Sequence, residues 1–238
     1  MEKETHRESF QETPLQGGQL TPGIVRIGDT VRRPPKGSAA FVHDLLLFLA
    51  HRGFRYAPRF LGMDEQGREI LSYLEGQTMP GSGSDLSDDL LAQAAQVIRI
   101  YHDVTAGSAL AQGHEIVAHN ELGPHNTIFH ENRLVGFIDW DDAAPGTRLR
   151  DFANAVYNYV DVSHWANQTA GVQAPRIRLM CAAYGWDDPI AIVNDFEADL
   201  QQALRNHEQA GRTGAVKVFQ DEVSWMRLRA QELRRLLR

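Results

Sequence analysis

Three oxygen-bearing side chains, Glu121, Asn126 and Asp139, stand near two short apolar runs. Thr127–Phe129 and Leu134–Ile138 are rich in β-branched and aromatic residues, and His130-Glu131-Asn132-Arg133 between them carries turn formers. This pattern predicts a β-hairpin. Asn126 lies just before the first arm and Asp139 just after the second. Facing residues of an antiparallel pair are about 5 Å apart, so an amide oxygen and a carboxylate are expected to meet at the open end. Such a pair suits Mg²⁺, a hard cation that takes oxygen ligands and keeps room for phosphates. Glu121, five residues before Asn126 in a Gly-Pro loop, supplies a third oxygen-bearing group, an acid, beside the metal.

A loop acid, an Asn five residues on and a hairpin ending in Asp form the arrangement of a kinase. The stretch resembles the aminoglycoside phosphotransferase family, which is kinase-like and also includes choline and homoserine kinase-type enzymes. That family's loop reads His-Gly-Asp-(four residues)-Asn and its metal strand Ile-Asp-Trp. This chain has His119-Asn120-Glu121-(four residues)-Asn126 and Ile138-Asp139-Trp140. The resemblance covers roughly residues 17–237, and its specific motifs are confined to Arg32–Arg33 and His119–Asp151.

The resemblance implies a two-lobed, protein-kinase-like α+β fold. A small antiparallel-sheet lobe would span residues 1–74, with a polar tail at 1–16, and a larger, mostly helical lobe residues 75–238. It implies phosphoryl transfer from ATP, or GTP, with Mg²⁺, to a hydroxyl of a small molecule such as an antibiotic. Glu121 would be the base, Asn126 and Asp139 the metal ligands, His119 a hydrogen-bonding anchor of the loop, and Asp151 a buried buttress of the loop's backbone N–H groups. The chain departs from the family in three places. Glu121 stands where the family has Asp, Arg32-Arg33 where it has a strand Lys, and the first helix carries no Glu. These departures keep a second class of function open, a binding or immunity protein that has the fold without turnover.

The elements that must position these groups read as follows. Gly17–Gly23 is a glycine-containing turn, where kinase-like folds bring backbone N–H groups to phosphates. Ile24–Ile27 and Thr30–Arg33 form a hairpin around Gly28-Asp29. Side chains alternate along a strand, so Arg33 shares a face with Val31 while Arg32 points away. Arg33 is therefore the favoured phosphate contact and Arg32 the second candidate. A helix is predicted over 39–51, with Val42, Leu45, Leu46 and Leu49 at helical spacing, and His43 and Asp44 are its nearest polar candidates for pairing with the strand cation. Arg59–Met63 and Glu69–Leu74 follow as strands. By the resemblance, Ser72, Tyr73 and Leu74, before the break at Glu75-Gly76, touch adenine through backbone.

Gly76–Ser87 reads as a loop and Ser87–Tyr101 as a helix, with His102-Asp103 packing at its end. Trp140 reads as packing, and Asp141 and Asp142 as loop acids near the metal strand. Helices are expected over about 174–184, from Pro189 to about 207, and over about 215–237; the resemblance gives this region to the acceptor pocket. His119, His125 and His130 lack the spacing of a zinc site.

Composition sets the outer bounds. The chain has 238 residues, 42% hydrophobic and 23% charged, which is ordinary for a globular protein. A net charge of −7 argues against nucleic acid or an anionic membrane as the main partner. The single cysteine, Cys181, excludes an intrachain disulfide, and the helical pattern around it predicts a small core residue. With no signal-like start and no apolar run of about 18 residues, a cytoplasmic location is the expectation.

Overall fold

The computed structural model describes residues 11–15, 23–79, 85–166 and 168–238. Of the glycine turn expected at 17–23, only Gly23 lies within the described residues. The chain divides into two compact units, residues 1–74 and 75–238.

The first unit is a five-stranded antiparallel sheet with one helix. Its strands are β1 (Thr13–Pro14), β2 (Val25–Ile27), β3 (Thr30–Arg33), β4 (Phe60–Met63) and β5 (Glu69–Ser72), in the order β1-β2-β3-β5-β4. Gly28, at φ +57°, makes the tight turn between β2 and β3. Part of the expected polar tail is not loose: Thr13 and Pro14 pair with Arg26 and Val25 at the sheet edge. Helix α1 (Ala39–His51) buries Val42, Leu45, Leu46 and Leu49, one stripe at i, i+3, i+4 and i+7. Leu71 of β5 is buried as well.

The second unit is mostly helical. It holds α2 (Asp88–Thr105), β6 (Ile116–Ala118), β7 (Thr127–His130), β8 (Arg133–Phe137), β9 (Ala144–Gly146), α3 (Arg148–Val160), α4 (Ala170–Tyr184), α5 (Pro189–Gln209) and α6 (Thr213–Leu237). Ser87 caps α2, its hydroxyl accepting from the Leu90 N–H at 3.3 Å. The helix continues one turn beyond the expected end at Tyr101, which puts His102 inside it. Its stripe of Leu91, Ala94, Ala95, Ile98, Tyr101 and Thr105 is buried. β6 and β9 pair with each other; at three residues each they left no periodic signal. Asp188 caps α5 with two hydrogen bonds, and Pro189 opens the helix as expected. Cys181 is buried, and burial pushes its thiol up to about 12. No described helix is long and apolar enough to cross a membrane.

The segment expected as a loop after Glu75 is partly paired. Gln77 exchanges both backbone hydrogen bonds with Phe129 at 2.9 Å, and the Met79 N–H donates to Pro124 O at 3.2 Å. Residues 77–79 thus lie along β7. Gly76 makes the approach, with φ +136° and no space for a Cβ, which would run into the Phe129 carbonyl and meet Ile128 Cγ2 at 2.8 Å.

Candidate active site

The hairpin forms as expected, with one correction. Glu131 and Asn132 both have positive φ, +47° and +60°, the geometry of a two-residue type I′ turn. The ladder pairs Thr127 with Phe137, Ile128 with Gly136 and Phe129 with Leu134. Val135 is an extra residue in the second arm, a β-bulge. The bulge moves the register by one and brings Ile138, not Phe137, opposite Asn126, so Asn126 faces the residue before Asp139. The Ile138 N–H donates to Asn126 O at 2.9 Å, and Asp139 follows one residue beyond the ladder at φ +58°. Asp139 therefore still leaves the hairpin beside Asn126, on a backbone turned into the left-handed region.

Ile138 is held from its other side too. The Nε2 of His119 is 3.2 Å from Ile138 O, which fixes the tautomer with Nε2–H donating. Burial lowers the His119 pKa, against the opposing charge of Asp151. Trp140 packs on it, with ring centroids 4.5 Å apart, and ties its Nε1–H to Phe137 O at 3.0 Å.

Asp151 organises the loop from beneath. It sits in the first turn of α3, fully buried. Oδ2 accepts from the His119 N–H at 3.1 Å and Oδ1 from the Asn120 N–H at 2.7 Å, while Oδ2 also meets His102 Nε2 at 2.8 Å. Burial alone would raise this carboxyl. The hydrogen bond and charge of His102, the charge of His119 and the Asn120 N–H together hold it below the usual carboxylate range. His102 is itself fully buried, its Nδ1 2.7 Å from the Tyr184 hydroxyl. The sequence reading gave His102 only a helix-end packing role. The available signal was its place on the apolar stripe of α2, four residues after Ile98, where a polar group needs a partner.

Glu121 and Asn126 come together. The Asn126 Nδ2 donates to Glu121 O at 3.0 Å and to Glu121 Oε2 at 3.2 Å. With Nδ2 engaged, Oδ1 is the face of this buried amide suited to a cation. Asn120 takes φ +68°, where the resembling motif has Gly, and Asn tolerates that region better than most residues. Its Nδ2 donates to Asp142 O at 2.8 Å.

In the first unit, the alternation expected along β3 holds. Arg33 is buried and pairs through Nε with Glu69 Oε2 at 2.5 Å. Arg32 turns to the other face, with Nη1 on Thr30 Oγ1 at 2.6 Å and Nε 3.7 Å from Asp64. Neither helix residue proposed as partner, His43 or Asp44, meets Arg33 directly among the described contacts. His43 instead reaches Glu69. The N–H groups of Ser72 and Tyr73 are engaged within this unit, on Arg59 O at 2.9 Å and Asp29 O at 2.8 Å. A purine edge would therefore find backbone donors only from Leu74 onward.

A cavity of about 340 Å³ lies in the second unit between the loop, α3 and α5. Asn120, Arg150, Tyr157, Asn158, Asp195 and Asp199 supply its polar lining. Arg150 pairs with Asp199. Asn158 donates to Leu122 O at 2.9 Å, and the Tyr157 hydroxyl donates to Glu222 at 2.9 Å. The Asn158 amide and the Tyr157 hydroxyl are thus engaged within the protein, and Asp195 is among the residues that line the space. Burial raises the Asp195 pKa; Arg150 opposes the rise and Asp199 adds to it.

More than half of the chain, residues 62–189, matches the phosphotransferase enzyme family. The chain belongs to that family. It is 29% identical over 197 residues to the trifolitoxin immunity protein of Rhizobium leguminosarum bv. trifolii, covering 73% of this chain and 74% of that one. The GDP complex of aminoglycoside 2′-phosphotransferase-IIIa superposes with a TM-score of 0.63 at 13% identity, over 92% of this chain and 93% of the other. The macrolide 2′-phosphotransferase MphH from Brachybacterium faecium gives 0.58 at 14%, over 82% and 85%. At these identities the structural likeness speaks for the fold, which is the α+β kinase-like fold of phosphotransferases. In this family member, loop, hairpin and α3 follow one another as the motifs require.

Proposed function

We propose that the chain is a nucleotide-dependent phosphotransferase that acts on a hydroxyl of a small molecule, with Glu121 as the base. The observation that carries this reading is the Glu121–Asn126 contact on a loop whose backbone is held by Asp151. Phosphoryl transfer needs mainly positioning and charge neutralisation, and a buried, fully bonded buttress provides the positioning. Glu121 would accept the proton of the acceptor hydroxyl, and Arg33 would steady the phosphates.

The donor set fits Mg²⁺. Among the described residues no three His, Cys, Asp or Glu side chains converge as a metal cage. Asn126 Oδ1 and the Asp139 carboxylate are the short oxygen set that Mg²⁺ takes when phosphates and water complete its shell. When bound, the ion would neutralise charge developing on the phosphates. ATP or GTP is the donor in this reading, with the purine edge at Leu74.

The cavity beside Asn120 is the acceptor site in this reading. Its acidic lining residues Asp195 and Asp199 suit a ligand rich in hydrogen-bond donors, and the antibiotic phosphotransferases of the same fold make aminoglycosides and macrolides the first candidates. The immunity-protein relative favours a second reading, in which the chain protects by binding its ligand without turnover. The two separate in one experiment. Mg²⁺-ATP and Mg²⁺-GTP are titrated calorimetrically, and nucleotide consumption is followed over a panel of aminoglycosides and macrolides. Acceptor-dependent consumption is the expected result; ligand binding with no consumption selects the second reading.

A further inference from the structure

In the sequence, Glu69 only opens a strand. In the structure its carboxylate is fully buried, and four elements of the first unit converge on it. Glu69 and Leu71 share the buried face of β5, and across the ladder Arg33 faces Glu69 while Val31 faces Leu71. Oε2 takes the Arg33 Nε at 2.5 Å, and Oε1 meets the His43 Nε2 of α1 at 2.7 Å. The His43 ring lies flat on Phe60 of β4, with centroids 3.8 Å apart and planes 12° from parallel. A carboxylate this deep is retained only when both oxygens are paired, because desolvation strongly disfavours a lone charge.

The type of cation matters here. A Lys ammonium is a point charge and tolerates rotation. A guanidinium is a planar fork whose bidentate contact with phosphate depends on the orientation of its plane. An acid that grips Nε from the facing strand fixes that plane. The stacked His43 in turn fixes the acid. Arg32 is not part of this assembly, since its own contacts lie on the opposite face with Thr30 and Asp64.

We propose that Glu69, backed by His43, is a positioning residue that aims Arg33 at the nucleotide phosphates. It takes the place of the helix acid that the resembling kinases carry and this chain lacks. Strand Arg and strand Glu belong together as one substitution of the phosphate clamp. The proposal rests on the reading of Arg33 as a phosphate contact.

A double-mutant cycle tests it. The β,γ-imido analogue of ATP, with Mg²⁺, is titrated into wild type, Glu69→Gln, Arg33→Ala and the double variant, with thermal midpoints recorded for each. Gln keeps the side-chain length but loses the charge that strengthens both contacts. Glu69→Gln is expected to weaken binding about tenfold when Arg33 is present, and less than about twofold in the Arg33→Ala background. A general loss of structure would weaken both backgrounds alike, so equal losses, or no loss, overturn the proposal. If Glu69→Gln does not fold, His43→Phe keeps an aromatic ring on Phe60 and removes both ring nitrogens, and with them the Nε2 contact to Glu69. It should weaken binding about threefold with Arg33 present and leave the Arg33→Ala chain unchanged; equal effects again overturn the proposal. A wild type that binds neither this analogue nor its GTP counterpart overturns the nucleotide reading itself. A wild type that binds with an additive cycle overturns the role of Glu69 alone.

Discussion

At the scale of the residue, the proposed base Glu121 is where turnover and binding without turnover would part. Glu is longer than Asp by one C–C bond, about 1.5 Å, and its Oε2 lies 3.2 Å from Asn126 Nδ2. The loop holds that extra length without breaking its ties to Asp151. Glu121→Gln should lower turnover by roughly 10²–10⁴ while nucleotide affinity stays within about twofold, since Gln keeps shape and loses the base. Glu121→Asp should also be slower, by up to about 10², because the carboxylate retreats from a loop built around Glu. Steady-state nucleotide consumption measures both; an Asp variant faster than wild type would count against Glu121 as the base. Asp139→Ala should abolish the Mg²⁺ dependence of nucleotide affinity, because Asn126 alone is neutral. Calorimetry with Mg²⁺ and with EDTA checks this, and an unchanged difference between the two would remove Asp139 from the metal site. The contact between Glu121 and Asn126 was legible because five residues of one loop join them. The one-residue offset between Asn126 and Asp139 was not, because the register at the open end depends on the bulge at Val135, which the composition of neither arm announces.

At the scale of the element, loop and helix are joined by α3 and α2 through a single carboxylate. The position of Asp151 was legible from the resemblance, but its third partner was not. His102 reaches it only because α2 runs on to Thr105, and the turn after Tyr101 carries little apolar signal of its own. Asp151→Asn should destabilise the chain by about 3–5 kcal/mol, because the amide cannot accept from the His119 and Asn120 N–H groups and meet His102 at once, and each bond to a buried charged group contributes roughly 1.5–3 kcal/mol. The measurement is the urea midpoint at pH 7. The pH dependence has a definite sign. The folded pKa of Asp151 is depressed, so its stabilisation is fully present above the unfolded value of about 3.9. It is lost as pH falls through the lower folded value. The gap between wild type and Asp151→Asn should therefore narrow below about pH 4. A gap that is constant down to pH 2 would mean that the carboxylate's charge contributes nothing. Short strands show the opposite limit of legibility: β6 and β9 exist through pairing with each other across 28 residues of chain and through burial under α2 and α3, which three residues cannot announce.

At the scale of the whole molecule, the cavity proposed for the acceptor is assembled from distant pieces of chain. Asn120 comes from the loop, Arg150, Tyr157 and Asn158 from α3, and Asp195 and Asp199 from α5. The sequence allowed three C-terminal helices to be expected, but which of their faces meet is a property of packing. Asp195 and Asp199 lie four apart on α5, which on its own reads as a solvated acidic face. In the packed unit Asp199 is neutralised by Arg150, while Asp195 is held partly buried against the cavity with a raised pKa. A charge in that position favours a cationic group on the acceptor. Asp195→Asn should therefore raise the KM for an amine-bearing acceptor by about tenfold or more, the loss of one charge-assisted contact of roughly 1.5–3 kcal/mol. The KM for nucleotide should not move, because Asp195 does not touch the loop's metal and base residues. Proton uptake supplies an independent check. As pH falls from 7 toward the raised pKa of Asp195, the carboxyl loses its charge, so wild-type acceptor KM should climb. In Asp195→Asn, which has no charge to lose, the same pH range should leave KM flat once protonation of the acceptor itself is subtracted. Parallel pH profiles in the two proteins would mean that the acceptor is held by the amides and not by the acid.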